Sequence, residues 1–307
     1  MIAGIAAAAL ATSTMTVPGP NGPLEGTFVD AGKGSPVVVI IPGSGPTDRD
    51  GNNPLGVTAA PYRLLADALA AKGVSSVRAD KRGMFGSKAA IADPNKVTIA
   101  HYAADAHAWA KAARARAGTK CAWLIGHSEG GLTALTAAQN KTDICGVVAL
   151  AAPGRKMGDI IREQLKANPA NAPLLDQALE ALRKLETGED VDDSTLAAPL
   201  RPLFNKAVQP FLKDMLSKDP AALAGSLAVP LLIVQPDQDI QITTADARAL
   251  AAGQPKATLV IVPGVNHVLK AVSGTGRAAN LATYADPSLP VAPGVVDAIA
   301  GFVTRPR

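Results

Sequence analysis

Short apolar runs alternate with longer amphipathic segments along most of this 307-residue chain. The mostly apolar runs lie at 36–41, 122–126, 146–151, 230–234 and 257–262, and 74–79 is a further predicted strand of mixed composition. The helical patterns between and after them lie at 61–72, 98–117, 129–139, 243–251 and 294–303. Short continuous apolar runs are typical of strands buried on both faces, and their alternation with helices favours a parallel sheet. The sequence therefore predicts an α/β fold with a mostly parallel central sheet flanked by helices.

Two regions depart from this alternation. Residues 24–29 follow the turn-rich run Pro-Gly-Pro-Asn-Gly-Pro, which predicts a strand added antiparallel at an edge of the sheet. Residues 153–229 have a helical pattern, and they follow the run 146–151 at the carboxyl end of the sheet, where open α/β sheets bind ligands. We expect a helical cap insertion there, either a lid or structural padding. The core domain would then consist of residues 17–152 and 230–307.

Residues 1–16 form an apolar, Ala-rich segment that contains Ala9-Leu10-Ala11. It resembles the hydrophobic region and cleavage site of a secretory signal, and it is too short to span a bilayer. No Lys or Arg precedes Lys33, however, so a disordered N-terminus is the alternative. The first interpretation predicts a periplasmic or secreted protein and the second a cytoplasmic one. No other segment is predicted to cross a membrane.

The distribution of charge predicts no nucleic-acid partner. The formal net charge is +4, but the basic residues are interspersed with acidic ones and only 3% of the residues are aromatic. The densest basic run, 111–120, is typical of the solvated end of a helix, where cations suit the helix dipole. A nucleic-acid groove needs clustered cations and aromatic side chains on which bases can stack.

The two cysteines, Cys121 and Cys145, each lie at the start of a predicted strand. If these strands are parallel neighbours, both thiols lie at the same end of the sheet. A disulfide between them would add about 3 kcal/mol of stability by the chain-entropy estimate. Two free thiols that pack as small apolar side chains are the alternative, and the sequence favours neither.

The strongest chemical motif is the run GHSEGG at 126–131, which follows an apolar run directly and opens a helical one. A Gly-x-Ser-x-Gly turn between strand and helix holds its serine in a strained conformation, so small residues are needed two positions to either side. Gly126 and Gly130 meet that need. The helix also directs its positive end toward the serine. Ser128 is therefore the candidate nucleophile, and a glycine-rich turn without chemistry is the alternative.

A serine hydroxyl needs a neighbouring base, and the chain has four histidines. His127 lies within the turn itself, where its side chain is expected to point away from the serine. His101 and His107 fall on the predicted helix 98–117, upstream of the serine, where a structural role is expected. His267 alone follows a late strand, so its loop should reach the same edge of the sheet as the serine. We predict His267 as the general base.

The remaining member of a catalytic triad is an acid that orients the histidine and stabilises its protonated form. Between Ser128 and His267, only Asp237 and Asp239 directly follow a predicted buried strand. Asp239 is favoured because the last acid of such a loop usually faces the histidine. Asp237 is the runner-up, and its alternative role is to cap the turn.

The loop after the first parallel strand reads PGSGP at 42–46 and carries little side-chain bulk. Its amides can therefore approach a substrate closely and form part of an oxyanion hole. We predict the backbone N–H of Ser44, with Gly45 as the alternative, and the N–H of Glu129 as the two donors. A phosphate-binding loop is disfavoured because no helix begins directly after it and no Walker-type lysine is present.

Together these motifs resemble the α/β-hydrolase superfamily over nearly the whole chain. More narrowly, GSGPTDRDGN at 43–52, DKRGMFGS at 80–87 and the serine turn resemble a bacterial esterase-like branch. Pro42 departs from that pattern, since many relatives have His before the oxyanion glycine. The resemblance implies an α/β-hydrolase fold with a helical cap, carboxylesterase activity on short acyl esters, and no cofactor.

Charged residues within these motifs are expected to organise the backbone. Asp48, Arg49 and Asp50 would form either an ion-paired loop, which is favoured, or part of the pocket rim. Asp80 and Arg82 are expected to hold the loop after a central strand.

The sequence thus predicts a serine hydrolase that cleaves a small-molecule carboxylic ester through an acyl-enzyme on Ser128. A peptidase or a thioesterase with the same triad is the nearest alternative. A catalytically silent binding protein is a distant one, because every catalytic role has a candidate residue. A metal centre is not expected, since His101 and His107 are six residues apart and do not share a helix face.

Overall fold

A single eight-stranded sheet forms the centre of the protein, which a computed structural model describes over residues 11–305. The strands are β1 Ala11–Pro18, β2 Pro23–Asp30, β3 Val37–Ile41, β4 Ser75–Ala79, β5 Ala122–His127, β6 Ile144–Leu150, β7 Leu231–Pro236 and β8 Thr258–Val262. Their order in the sheet is β1-β2-β4-β3-β5-β6-β7-β8. The pairs β1–β2 and β2–β4 are antiparallel, and all pairs from β4 to β8 are parallel. The predicted α/β architecture is confirmed.

Helices cover both faces of the sheet. They are α1 Pro61–Ala71, α2 Ile99–Ala117, α3 Glu129–Ala137, α4 Met157–Ala167, α5 Leu175–Glu186, α6 Arg201–Phe204, α7 Gln209–Leu216, α8 Pro220–Gly225, α9 Thr244–Gly253, α10 Gly276–Ala282 and α11 Pro293–Val303. Apolar side chains of α2, α3, α8 and α9 pack on one face. Those of α1 and α11 pack on the other. In β3, Val37 and Val39 face the first layer and Val38 and Ile40 the second, so each strand residue is buried and the run reads as continuously apolar.

The N-terminal edge differs from the prediction. Residues 24–29 do run antiparallel, but they are not the edge, because β1 pairs with β2 along its whole length from Ala11↔Asp30 to Pro18↔Pro23. This pairing supplies partners for the outer backbone groups of β2, which would otherwise be exposed. Residues 11–16, which were expected to belong to a leader or to a disordered start, are strand residues in this structure. Residues 1–10 lie outside the described residues, so the signal-peptide prediction for them stays a prediction.

The segment between β6 and β7 is helical, as its sequence pattern indicates. Helices α4 to α7, hereafter the cap, bury their own apolar cluster, which includes Ile160, Leu182 and Met215. This cluster contacts the main domain through Ile99 and Leu132. The last part of the segment 153–229 behaves differently, because Ala224 and Leu227 belong to the core beneath the sheet. Helix α8 therefore packs with the main domain, although it lies within the segment predicted to be the cap insertion.

Cys121 and Cys145 are joined by a disulfide, with their Cα atoms 5.2 Å apart. Their strands β5 and β6 are parallel neighbours, so both residues lie at the same, amino-terminal end of the sheet. That end is opposite to the edge at which the serine turn follows β5. Within residues 11–305, no helix combines the length and the apolar composition needed to cross a bilayer.

Candidate active site

Ser128 lies at a strained turn between β5 and α3. Its backbone angles are φ 54° and ψ −128°, outside the regions that a residue with a side chain ordinarily adopts. The turn requires glycine on both sides: a Cβ at Gly126 would lie 2.2 Å from the carbonyl oxygen of Gly130, and one at Gly130 would lie 2.3 Å from that of Ile41. The motif at 126–131 therefore forms the sharp turn that its sequence predicts.

Asp239 and His267 form a buried pair on the loops that follow β7 and β8. The distance from His267 Nδ1 to Asp239 Oδ2 is 2.7 Å, and the Asp239 side chain is fully buried. The other carboxylate oxygen accepts the backbone N–H groups of Gln241 (2.7 Å) and Ile242 (3.0 Å). Because the ionised carboxylate only accepts, His267 donates from Nδ1 and keeps Nε2 available as a base.

Asp237, the runner-up acid, has a different role in the structure. Its side chain is exposed, and its Oδ1 accepts the backbone N–H of Gly264 at 2.7 Å. This bond ties the loop after β7 to the turn that leads to His267. The geometry thus favours Asp239 as the acid of the triad and gives Asp237 the turn-capping role.

Ser128 and His267 open on the same cavity, which has a volume of about 530 Å³. Ser44, Tyr62 and His127 also line it. We refer to it as the catalytic cavity. Within residues 11–305, the Ser128 hydroxyl makes no hydrogen bond, so the link from serine to histidine is a contact that substrate binding would have to complete.

The loop after β3 approaches Ser128 closely, and two contacts set the orientation of its peptides. A Cβ at Gly43 would lie 3.1 Å from Ser128 Cβ. The N–H of Gly43 donates to the Tyr62 hydroxyl at 3.1 Å, and its carbonyl oxygen accepts from Lys81 Nζ at 2.8 Å. In a trans peptide the next N–H points opposite to this carbonyl, so Lys81 fixes the direction of the Ser44 N–H.

The two predicted oxyanion donors have no acceptor among the described residues. Ser44 is exposed on the catalytic cavity, and no acceptor in the described part of the chain takes its N–H. Glu129 is the first residue of α3, where the N–H has no acceptor within the helix. Gly45, the alternative, has φ +66° and lies one residue beyond the loop's approach to Ser128. The roles of Tyr62 and Lys81 were not predicted, because neither residue belongs to a recognisable catalytic pattern.

His127 was also missed as a functional residue. Its side chain lines the same cavity as Ser128 and connects two loops of the site. Nε2 lies 2.9 Å from the backbone carbonyl oxygen of His267, and Nδ1 lies 2.8 Å from the Tyr62 hydroxyl. Since a carbonyl only accepts, Nε2 carries the proton and the Tyr62 hydroxyl donates to Nδ1. Burial, helped by the neighbouring His267, lowers the pKa of His127 to about 3, so the ring is neutral.

A second buried network holds the histidine loop on its other side. The Asn266 side chain donates to Thr283 Oγ1 at 2.6 Å and to the Asn280 carbonyl oxygen at 3.1 Å. The Asn280 side chain donates to the carbonyl oxygen of Gln238 at 2.6 Å. Asn280, in the last turn of α10, therefore connects the loop of Asp239 to the loop of His267.

The charged residues of the two remaining motifs form ion pairs outside the catalytic cavity. The Arg49 guanidinium pairs with Asp80 and with Glu25. Arg82 forms a two-point ion pair with Asp105, with distances of 2.6 and 2.7 Å. These contacts agree with the ion-paired loop and the backbone-holding roles expected from the sequence.

The other two histidines do not reach the site. His101 is exposed on α2, and His107 Nε2 lies 2.9 Å from the carbonyl oxygen of Ala137, a contact between α2 and α3. Across residues 11–305, no group of three or more His, Cys, Asp or Glu side chains is arranged to hold a metal ion.

The α/β hydrolases have a parallel sheet with a serine turn after one central strand. In their chain order an acid and then a histidine follow, each at the end of a later strand. This protein has the same arrangement. A model of the alpha/beta hydrolase family matches residues 38–273. The chain therefore belongs to this family.

The chain is also similar to several individual proteins. Esterase EstD of Thermotoga maritima is 29% identical over 253 residues, which are 79% of this chain and 56% of that protein, so the chain spans little more than half of its length. Est1E from Butyrivibrio proteoclasticus has a TM-score of 0.55 at 17% identity, covering 94% of this chain and 99% of that one. A puromycin-hydrolysing peptidase of Mycobacterium tuberculosis has a TM-score of 0.58 at 15% identity, covering 96% and 39%. The two solved structures show a shared fold.

Proposed function

We propose that this protein is a serine carboxylesterase that hydrolyses small-molecule esters through an acyl-enzyme on Ser128. The observation that carries the proposal is the buried Asp239–His267 pair, which opens on the same cavity as a serine held in a strained turn. The similarity to an esterase over 79% of the chain supports the choice of an ester as substrate.

The first half of the proposed reaction forms the acyl-enzyme. His267 Nε2 takes the proton of the Ser128 hydroxyl as the oxygen attacks the carbonyl carbon. The negative charge on the carbonyl oxygen is stabilised by the N–H groups of Ser44 and Glu129, each typically worth about 3 kcal/mol. Protonated His267 then gives its proton to the leaving alcohol. Asp239 stabilises the imidazolium, because its carboxylate lies 2.7 Å from Nδ1.

The second half repeats this sequence with water. His267 takes a proton from the water, which attacks the acyl carbon, and returns it to Ser128 as the acid product leaves. The cap supplies walls on the other side of the serine turn, since Val208 and Phe211 face a cavity that Glu129 also lines. We propose that the cap shapes the choice of substrate and that its movement admits it.

The decisive experiment compares Ser128→Ala with a matched control, Ser13→Ala, at an exposed position on β1. With p-nitrophenyl acetate and butyrate, kcat is expected to fall by about 1,000-fold or more for the first variant and to stay unchanged for the second. A fluorophosphonate probe should label the wild type and not Ser128→Ala. Full activity of Ser128→Ala would disprove the proposal.

The alternatives are tested with the same proteins. A peptidase would cleave p-nitroanilides of amino acids faster than the matching esters, and a thioesterase would prefer acyl thioesters. A silent binding protein would give no labelling and no turnover on any of these substrates.

A further inference from the structure

A second cavity, of about 430 Å³, adjoins the oxyanion loop on the side of the cap. Its walls include Gly45, Lys81, Met84, Tyr102, Glu129 and Phe211. We refer to it as the Glu129 cavity. It begins one residue from the nucleophile at Glu129 and one residue from Ser44 at Gly45, so a substrate bound to Ser128 can reach it. Most of its surface is apolar, but it contains one carboxylate and one ammonium group.

The carboxylate of Glu129 has no partner in the described part of the chain. The residue is only 4% exposed, and within residues 11–305 its side chain makes no hydrogen bond and no ion pair within 4.0 Å. It interacts electrostatically with Lys81 and Tyr102, two other residues of the cavity wall. The carboxylate oxygens are not enclosed, so a ligand in the cavity can donate a hydrogen bond to them.

Lys81 supplies a donor to the same cavity. One of its three N–H bonds goes to the carbonyl oxygen of Gly43, and Nζ lies 5.7 Å from the centre of the Tyr102 ring. Burial lowers the pKa of Lys81, and the charge of Glu129 opposes that change. No carboxylate pairs with Nζ in the described residues, so its remaining N–H bonds can serve a ligand.

The direction of the leaving group assigns this cavity to the acyl part of the substrate. His267 must protonate the departing alcohol, so the alcohol lies on the His267 side, in the catalytic cavity. The acyl chain then extends away from His267, past the N–H of Glu129, toward the Glu129 cavity. This step rests on the proposed serine esterase mechanism.

We propose that the Glu129 cavity selects acyl groups that carry a hydroxyl. A hydroxyl both donates and accepts, so it can donate to the Glu129 carboxylate and accept from the Lys81 ammonium, two groups that line the same cavity. An ammonium group on the substrate would be attracted by Glu129 but repelled by Lys81. A carboxylate on the substrate would be attracted by Lys81 but repelled by Glu129. A plain alkyl chain would leave both charges without a partner.

The test is the ratio of kcat/KM for methyl 3-hydroxybutyrate to that for methyl butyrate, followed by titration of the released acid. The wild type is expected to prefer the hydroxy ester by about tenfold or more, because a hydrogen bond to a charged group is gained. Glu129→Met removes the acceptor at similar length and should bring the ratio close to one. Glu129→Gln keeps a weaker acceptor and should give an intermediate ratio. Met84→Leu, an apolar change in the same cavity, should leave the ratio unchanged while both rates move together.

The outcomes separate this inference from the esterase proposal. Hydrolysis that depends on Ser128 with a wild-type ratio near one would overturn the hydroxyl preference and leave the esterase intact. The hydroxyl preference would also be overturned if Glu129→Met kept the wild-type ratio. It would likewise be overturned if the wild type preferred methyl 3-aminobutyrate or monomethyl glutarate to the hydroxy ester. No hydrolysis of either methyl ester by a wild type that does hydrolyse p-nitrophenyl butyrate would overturn the hydroxyl preference alone, and no hydrolysis of any of these esters would overturn both. Labelling of each variant by a fluorophosphonate shows that Ser128 is still correctly placed.

Discussion

His127 donates its Nε2–H to the backbone carbonyl oxygen of His267 over 2.9 Å, so the residue before Ser128 holds the loop of His267. Its other nitrogen accepts from Tyr62, whose hydroxyl accepts the N–H of Gly43 in turn. The serine turn, the oxyanion loop and the histidine loop are therefore joined by one chain of three hydrogen bonds. All of its side chains are buried, where an unmade bond is costly.

This relationship predicts that His127→Phe impairs both activity and stability. The phenyl ring fills similar space but leaves the His267 carbonyl and the Tyr62 hydroxyl without partners. We expect kcat/KM on a p-nitrophenyl ester to fall by about tenfold or more, because the loops that carry Gly43 and His267 would be held less firmly relative to Ser128. Urea unfolding should show a free energy of unfolding lower by about 2 kcal/mol. Tyr62→Phe also removes two of the three hydrogen bonds but keeps the bond from His127 to the His267 carbonyl, so it should disturb the histidine loop less. Equal activity of wild type and His127→Phe would contradict this role.

The neutral state of His127 predicts a dependence of stability on pH. Burial lowers its pKa in the folded protein to about 3 from a usual value of 6.5, so between these values the unfolded chain binds a proton that the folded protein does not. Stability from this group is therefore fully present above about pH 6.5 and is lost as the pH falls toward 3. Urea unfolding of the wild type and of His127→Phe between pH 4 and 7 checks this. The difference in unfolding free energy between them should shrink as the pH falls, and a constant difference would argue against it.

The two acids of the loop after β7 are predicted to behave differently. Asp239→Asn should lower kcat by about 1,000-fold to 10,000-fold, because the amide no longer fixes the imidazole tautomer or stabilises its charge. Asp237→Asn is the matched control: it alters a bond to the Gly264 N–H and should cost about 1 kcal/mol of stability with little change in kcat. Steady-state kinetics on one ester measures both. A larger loss of kcat for Asp237→Asn than for Asp239→Asn would reverse the assignment.

The disulfide is predicted to stabilise the protein without a part in catalysis. It joins residues 24 positions apart at the end of the sheet opposite to the serine turn. The double variant Cys121→Ala/Cys145→Ala should lose about 3 kcal/mol of unfolding free energy. Its kcat at 25 °C should match that of the wild type. Reduction of the wild-type protein should lower its stability by a similar amount, and an unchanged midpoint of unfolding would show that the bond adds no stability.

Much of the fold could be predicted because the relevant signals are local. The six predicted runs became the parallel strands, and the clearest signal is that of Val37 to Ile41, which are buried on both faces of the sheet and apolar throughout. The serine turn was predictable because Gly126 and Gly130 have no room for a Cβ. Strand β1 was missed because its residues are mostly exposed and its existence depends on pairing with β2.

The missed residues of the site share one cause: their roles depend on partners far away in the sequence. His127 contacts a carbonyl 140 residues away, and Lys81 contacts one 38 residues away. In the sequence, Asn266 and Asn280 look like ordinary polar residues. Their hydrogen bond forms only because α10 packs beside the histidine loop. No spacing or periodicity reports such contacts.

The sequence by itself determined the class of fold, the serine turn and the order of its candidate catalytic residues, because glycine sterics and strand burial act over a few residues. Only the tertiary structure decided that Asp239 rather than Asp237 faces His267 and that the cysteines are bonded. It also decided that the Glu129 side chain has no hydrogen-bond partner among residues 11–305. Each of these depends on the position of loops brought together by the sheet. A difference of one residue in such a loop changes which side chain faces the cavity, and packing across the whole domain sets that position.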